Sequence, residues 1–155
     1  MIYTSGGAGV TFVEASRTAG DVTLNTTGIV TAYDTSTDLV VPAAAGDRVI
    51  FGLSMLTNGG FNSGAQGIDI VTVPNGTITT YVSSRGAAPA ANGLASLYTD
   101  ATFVISGQAD YVVAAGDLAG GNVTFRLVYT NTTPTRTIYG SANYPFRWWA
   151  LNVGH

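Results

Sequence analysis

Hydrophobic and polar residues alternate with a period of two along much of the chain. Between Arg48 and Leu56 every second residue is hydrophobic, and these residues are Val49, Phe51, Leu53 and Met55. The same alternation runs from Asn122 to Thr130. Because successive side chains of a strand point to opposite faces of a sheet, this spacing predicts strands with one buried side.

Shorter segments of the same kind are separated by turn residues. In chain order they are VTFVEA (10–15), GIVTAYD (28–34), TDLVVP (37–42), GIDIVTV (67–73), TITTYVS (77–83), ATFVIS (101–106), RTIYGS (136–141) and PFRWWALNV (145–153). Between two of them, Asn75 and Gly76 follow a proline and predict a tight hairpin turn. Short strands joined by turns, without helical spacing, predict an all-β sandwich or barrel that forms one domain over residues 10–155. The Gly-rich residues 1–9 are predicted to form a flexible arm.

Two stretches share an Ala-Ala-Gly-Asp turn that could be mistaken for a phosphate-binding loop. They are VVPAAAGDRVIF at Val40–Phe51 and VVAAGDLAGGNVTF at Val112–Phe125. A phosphate loop would need a Gly-Lys pair that leads into a helix, whereas a strand follows here and the chain has no lysine. Glycine adopts positive φ at little cost, and aspartate accepts hydrogen bonds from nearby backbone N–H groups. The predicted turn-forming residues are therefore Gly46, Asp47, Gly116 and Asp117.

Composition narrows the classes of partner. Charged residues make up only 10% of the 155 residues, against about 25% in typical domains, so we expect part of the surface to be covered by other proteins. The net charge is −3 and the six cationic side chains are scattered arginines, which argues against nucleic-acid binding. Without cysteine there is no disulfide or thiolate chemistry. The beginning of the chain lacks the features of a signal peptide, and no apolar run approaches about 18 residues, so we expect neither secretion nor a membrane partner.

Three segments carry a resemblance to a known family. An apolar strand, a turn and a long alternating strand follow one another in LVVPAAAGDRVIFGLSM (39–55), an Ala-Gly-Asp turn precedes a strand in VVAAGDLAGGNVTFRLVY (112–129), and YPFRWWALNV (144–153) is an aromatic last strand. In this pattern the chain resembles the jelly-roll heads of the tumour-necrosis-factor and complement-globular-head type. Capsid decoration proteins and fibre heads of phages share that trimeric design. The resemblance implies an antiparallel β-sandwich with jelly-roll topology and a homotrimer.

The ionisable residues form no recognisable catalytic motif. The one histidine, His155, is the last residue, where we expect it to be solvated and not held as a Ser-His-Asp arrangement requires. One glutamate, Glu14, and eight aspartates show no paired spacing, although two of them could meet in space as in glycosidases. A calcium ion bound by loop carboxylates also stays open. We expect no enzymatic activity and no cofactor, and we assign no metal ligand.

The aromatic end of the chain is the strongest candidate for function. Phe146 and Trp148 fall on one face of a predicted strand, and Arg147 and Trp149 fall on the other. Since a sandwich core needs one face, Trp149 either caps a sheet edge, stacks on a sugar or contacts a neighbouring subunit. We favour the subunit contact, because interfaces are enriched in Trp, Tyr and Arg. The predicted interface residues are Tyr139, Tyr144, Arg147, Trp149 and Leu151.

Taken with the resemblance, these features imply a virion structural protein. It would be a homotrimer that decorates or cements the outer surface of a phage capsid, with the major capsid protein as its partner, after assembly in the host cytoplasm. The chain has no collagen-like or coiled-coil stalk, which favours a decoration protein over a fibre head. The predicted capsid-docking residues are Met1, Ile2, Tyr3 and Thr4. The alternative is the receptor- or carbohydrate-binding head of a tail fibre or spike.

Overall fold

Strands and three short 3-10 helices make up the regular structure of the part of the chain that can be described. The computed structural model describes residues 2–7, 10–24, 28–32, 35–59, 67–82, 95–96, 103–131, 136–143 and 145–155. The strands are β1 (Ile2–Gly7), β2 (Val10–Arg17), β3 (Val22–Leu24), β4 (Gly28–Ala32), β5 (Leu39–Pro42), β6 (Arg48–Gly59), β7 (Gly67–Thr72), β8 (Thr80–Tyr81), β9 (Ala95–Ser96), β10 (Phe103–Val112), β11 (Leu118–Ala119), β12 (Asn122–Asn131), β13 (Arg136–Tyr139) and β14 (Phe146–Asn152). The 3-10 helices are Thr35–Thr37, Pro74–Gly76 and Ala115–Asp117.

Two antiparallel sheets pack face to face. The first, which we call the β14 sheet, has the order β1–β2–β14–β6, with β10 on the other edge of β6. In the same sheet β13 pairs with the later part of β6, and β3 pairs with β13. The second, the β12 sheet, has β12 between β5 and β7, with β4 and β11 also on β12 and with β8 and β9 on β7. The prediction of an all-β sandwich is confirmed.

The order of the longer strands within the two sheets can be compared with the predicted jelly-roll topology. Along the chain, β2, β6, β10 and β14 belong to one sheet, whereas β5, β7, β8 and β12 belong to the other. Within the sheets their spatial orders are β2–β14–β6–β10 and β5–β12–β7–β8. Strands distant in the chain are thus neighbours in both sheets, as in paired Greek keys. Jelly-roll topology stays a prediction, and this order supports it.

The core lies between the two sheets and consists of the inward positions of the alternating strands. Phe51 of β6 and Phe125 of β12 meet edge to face across the gap, with ring centroids 4.7 Å apart. Trp148 and Phe146 of β14 are fully buried beside them. The indole Nε1–H of Trp148 donates a hydrogen bond of 2.9 Å to the carbonyl oxygen of Thr37, which ties β14 to the helix before β5. The strands with the clearest alternation of hydrophobic and polar residues therefore supply the core.

The beginning of the chain differs from the expectation. Residues 1–9 were predicted to form a flexible arm, whereas the backbone of β1 pairs with β2 along its whole length, from Ile2 opposite Ala15 to Gly7 opposite Val10. An edge strand has backbone N–H and C=O groups without partners. The backbone of a neighbouring segment can hydrogen-bond these groups regardless of which side chains that segment carries. The strand β3 was also not predicted, and β10 extends from the predicted segment to Val112.

The adjacent tryptophans provide a test of which face of β14 holds the fold together. Trp148→Phe removes buried volume and the hydrogen bond to Thr37, so we expect it to lower the free energy of unfolding by about 2–4 kcal/mol. Trp149→Phe is the matched control and should cost less than about 1 kcal/mol. Urea unfolding at one fixed protein concentration measures both. Equal losses for the two variants would show that the buried position has no special role.

Candidate functional site: the outer face of the β14 sheet

The outward side of the β14 sheet carries an apolar surface. Some of the large hydrophobic residues exposed in the described part of the chain lie on this side. They are Val10, Val112 and Val153, with 44%, 48% and 40% of their surface accessible. The partly buried residues beside them are Phe12, Ile50, Trp149 and Leu151. Cross-strand register places Leu151 between Phe12 and Ile50. We call these seven residues the apolar face. Apolar surface of this kind is a feature that interaction surfaces share.

Trp149 lies flat on this face because glycine stands opposite it. Gly52 of β6 is the cross-strand partner of Trp149, and a Cβ atom at this position would overlap the indole ring. On the other side the ring lies 6.0 Å from the ring of Phe12, tilted by 35°. A glycine inside a strand often marks such a close approach.

Polar groups surround the indole in an open depression of about 510 Å³. It is lined by Glu14, Gly52, Leu53, Ser54, Gln108, Arg147 and Trp149. Glu14 is directly opposite Trp149 on β2, and Gln108 is opposite Gly52 on β10. A carboxylate, an amide, a hydroxyl and a guanidinium therefore surround one aromatic surface. Such a set can hydrogen-bond a polar ligand or match polar groups of a protein partner.

The charged residues of this face differ in whether their side chains have a partner within the chain. Arg48 and Asp110 form an ion pair of 3.2 Å within the chain, at an exposed position of the sheet. By contrast, the side chains of Glu14 and Arg147 have no hydrogen bond or ion pair with any other residue that the structure describes. One unmatched anion and one unmatched cation thus lie beside Trp149.

The outward side of the β12 sheet is different, because the chain covers part of it itself. Val71, Val73, Tyr81 and Val128 form a second buried cluster there. Burial, helped by the nearby carboxylate of Asp69, raises the pKa of the Tyr81 hydroxyl. Among the described residues on this side, Val40 of β5 stays exposed, with 50% of its surface accessible, so the two outer sides differ in degree.

The first Ala-Ala-Gly-Asp turn binds several distant segments together. One carboxylate oxygen of Asp47 accepts hydrogen bonds of 2.9 Å from the backbone N–H of Ala44 and from the side-chain amide of Asn152. The other oxygen lies 2.8 Å from Nδ1 of His155. The hydrogen bond from Asn152, followed by those from Ala44 and His155, lowers the pKa of Asp47 from 3.8 to about 2. The histidine that we expected to be solvated is exposed but contacts this turn.

The second turn uses its aspartate in the same way. Asp117 is buried and accepts a 3.0 Å hydrogen bond from the backbone N–H of Ala114. The Tyr111 hydroxyl donates to it at 2.7 Å, and Thr72 and Thr80 donate at 2.8 and 3.2 Å. Since Tyr111 belongs to the β14 sheet and the threonines to the β12 sheet, this carboxylate joins the two sheets.

The glycines of the two turns differ in conformation. Gly46 has a φ of +95°, as expected for a residue that reverses the chain. Gly116 does not have positive φ, because it lies inside the 3-10 helix at Ala115–Asp117, where φ is negative. Positive φ occurs a few residues later, at Gly120 and Gly121 before β12. The predicted hairpin turn at 74–76 has positive φ at both Asn75 and Gly76.

The structure distributes the predicted interface residues over two strands. Arg147, Trp149 and Leu151 point outward from β14, and Tyr139 ends β13 in a partly buried position. Tyr144 lies outside the described residues. The sequence analysis missed Phe12, Ile50 and Gly52, although the alternation of β2 and β6 places them on the outward side. It also missed the exposed valines at strand ends.

The predicted docking residues belong to the edge of the same sheet. Ile2, Tyr3 and Thr4 lie in β1, where Tyr3 is the backbone partner of Glu14, and Met1 lies outside the described residues. In the parts of the chain that are described, no three His, Cys, Asp or Glu residues are grouped as metal ligands. Within the same limits, no helix has the length and hydrophobicity to cross a bilayer.

Comparison with known proteins identifies no family for this chain. No family model and no curated protein matches the chain. A chain in a structure of infectious bursal disease virus, Gt strain, is similar with a TM-score of 0.37 and 12% identity, over 93% of this chain and 37% of that one. A chain in a structure of the Gx strain is similar with a TM-score of 0.33 and 15% identity, over 100% of this chain and 36% of that one. This chain therefore spans little more than a third of their length.

The pH dependence of stability tests the role of Asp47. Its folded pKa lies below the unfolded value of 3.8, so its ionised form stabilises the fold above about pH 4, and this contribution is lost as the pH falls towards about 2. Asp47→Asn should therefore lower the free energy of unfolding by about 1–2 kcal/mol at pH 7, and the difference from the wild type should shrink between pH 4 and pH 2. Urea unfolding across this range measures it. Asp110→Asn, at an exposed ion pair, is the control, and a pH-independent effect at Asp47 would contradict the assignment.

The contact between Gly52 and Trp149 can be tested with a double-mutant cycle. Gly52→Ala places a methyl group in the space of the indole ring, so we expect the ring to tilt away and the protein to lose about 1–2 kcal/mol. The same change in a Trp149→Ala background should cost nothing, because the obstacle is gone. Denaturant unfolding and tryptophan fluorescence report the two effects. Ser54→Ala, on the same side of β6, is the control; an equal cost of Gly52→Ala in both backgrounds would disprove the contact.

Proposed function

We propose that this protein is a virion structural protein, a homotrimer that decorates the outer surface of a phage capsid. The chain would associate with copies of itself through the apolar face and would act by binding, without catalysing a reaction. The observation that carries the proposal is the asymmetry of the sandwich. On the outer side of the β12 sheet the chain buries Val71, Val73, Tyr81 and Val128 and leaves Val40 exposed, whereas the outer side of the β14 sheet leaves Val10, Val112 and Val153 exposed.

The apolar face is suited to association between identical chains. A tryptophan contributes up to about 200 Å² to an interface, and burial of that area is worth about 5 kcal/mol before ordering costs. Phe12, Ile50 and Leu151 surround Trp149 and would add to this. Interfaces of this composition, with aromatic residues at the centre and polar groups around them, are typical of stable oligomers.

A trimer would also explain how a small domain binds a large particle. Three copies present the same docking segment three times, so contacts that are weak singly add through avidity. Ile2, Tyr3 and Thr4 lie in β1, at the edge of the sheet that carries the apolar face. An edge strand can pair with a strand of another protein through its free backbone groups. We propose that this edge contacts the major capsid protein.

Binding to a sugar is the second candidate, and the depression around Trp149 favours it. A flat indole with a carboxylate, an amide and a guanidinium around it can stack on a pyranose ring and hydrogen-bond its hydroxyls. In this case the protein would be the receptor- or carbohydrate-binding head of a tail fibre or spike. The two candidates compete for the same surface, since a subunit contact would cover the indole.

Co-sedimentation with capsids tests the proposal. The purified protein should sediment with capsids of the virus that encodes it, assembled without this protein. Tyr3→Ala together with Ile2→Ala should weaken sedimentation at least about tenfold, because three docking segments are affected at once. Val40→Ala, a change at an exposed residue of the β12 sheet, is the control. A protein that stays in the supernatant but binds sugars on a glycan array, with loss of binding on Trp149→Ala, would favour the second candidate and overturn the first.

A further inference from the structure

We propose that Glu14 and Arg147 form ion pairs between neighbouring copies of the chain, with Arg147 of one copy bound to Glu14 of the next. This inference rests on the proposed self-association through the apolar face and names the polar contacts that set its register. It assigns a partner, a second copy of this chain, to the two charges beside Trp149.

Charge pairing within the chain is the first observation in its favour. Arg126 and Asp38 form a partly buried, two-point ion pair with distances from 2.6 to 3.2 Å, and Arg48 and Asp110 pair at 3.2 Å. These pairs show that charges on the described strands find partners in their own chain. Glu14 and Arg147 are the exceptions on the face of the β14 sheet, since the side chain of neither has a hydrogen bond or ion pair with another described residue.

The position of the two charges is the second observation. Glu14 is the direct cross-strand neighbour of Trp149, and Arg147 precedes Trp149 by two residues on the same side of β14. Both line the depression around the indole. Any partner that covers the indole must therefore remove part of the water from both charges. A charge that loses its water without gaining an opposite charge is strongly disfavoured, so a partner that brings an opposite charge to each of them is favoured.

A second copy of the chain brings one guanidinium and one carboxylate to this face. The chain has a net charge of −3, so copies repel one another at long range unless local pairs compensate. When these faces meet around a symmetry axis, the guanidinium of each subunit can meet the carboxylate of a neighbouring subunit, so that every copy in the closed assembly is paired. This arrangement leaves neither charge unmatched in the assembly. It also selects one register of association, as complementary charges do at interfaces.

Reversal and exchange of the two charges test the inference. The association constant of each variant is measured by light scattering over a dilution series at fixed salt, with circular dichroism to confirm folding. Arg147→Glu and Glu14→Arg should each weaken association at least about tenfold, because each brings like charges together at the interface. The double variant, with both changes, should restore association to within about threefold of the wild type. Asp21→Arg makes an equal change of charge at an exposed residue outside the apolar face; it removes a hydrogen bond from the backbone N–H of Gly140 but should leave the association constant unchanged.

The outcomes separate the inference from the proposed function. If the wild type associates and the single reversals leave association unchanged, or if the double variant is as weak as the single ones, the ion pair is wrong and self-association stands. If the wild type does not associate at any concentration, the proposed function fails together with the inference. Should a reversed variant fail to fold, Arg147→Gln and Glu14→Gln replace it. If the fold-changes in the association constant caused by the two single variants multiply in the double variant, the pairing is overturned.

Discussion

The alternation of β14 is the constraint on which the rest of the structure depends. A strand sends adjacent side chains to opposite faces, so Trp148 and Trp149 cannot both enter the core. Trp148 is fully buried and anchored to the carbonyl of Thr37, which fixes the strand against the other sheet. Trp149 is thereby held on the outward side, where Gly52 gives its ring room to lie flat. The packing of the core thus determines which surface the protein offers to partners.

The period-two pattern predicted the fold well where strands have one buried side. The strands β2, β6, β12 and β14 alternate in sequence, and each supplies alternate residues to the core. The strand β1 was missed because its pairing comes from the open edge of β2, which the sequence of residues 2–7 does not reveal. The roles of Asp47 and Asp117 in their turns were predicted from local chemistry. Their distant partners, such as Asn152 and Thr72, could not be, because only the folded chain brings them together.

The candidate site was predictable only in part. Arg147, Trp149 and Leu151 followed from the alternation of one strand, and the structure places all three on the same outward side. The neighbours that complete the surface come from other strands, so they depend on register. Leu151 meets Phe12 and Ile50, and Trp149 meets Glu14 and Gly52, only because β14 pairs with β2 and β6 in that register. A shift by one residue would move each of these contacts to the opposite face.

The mass of the protein in solution tests the central claim most directly. Light scattering on the wild type should give about three times the chain mass of 15.9 kDa, and Trp149→Ala should shift the protein towards the single-chain mass while it remains folded. A wild type that stays at 15.9 kDa at every concentration, with its apolar face open to water, would contradict the account.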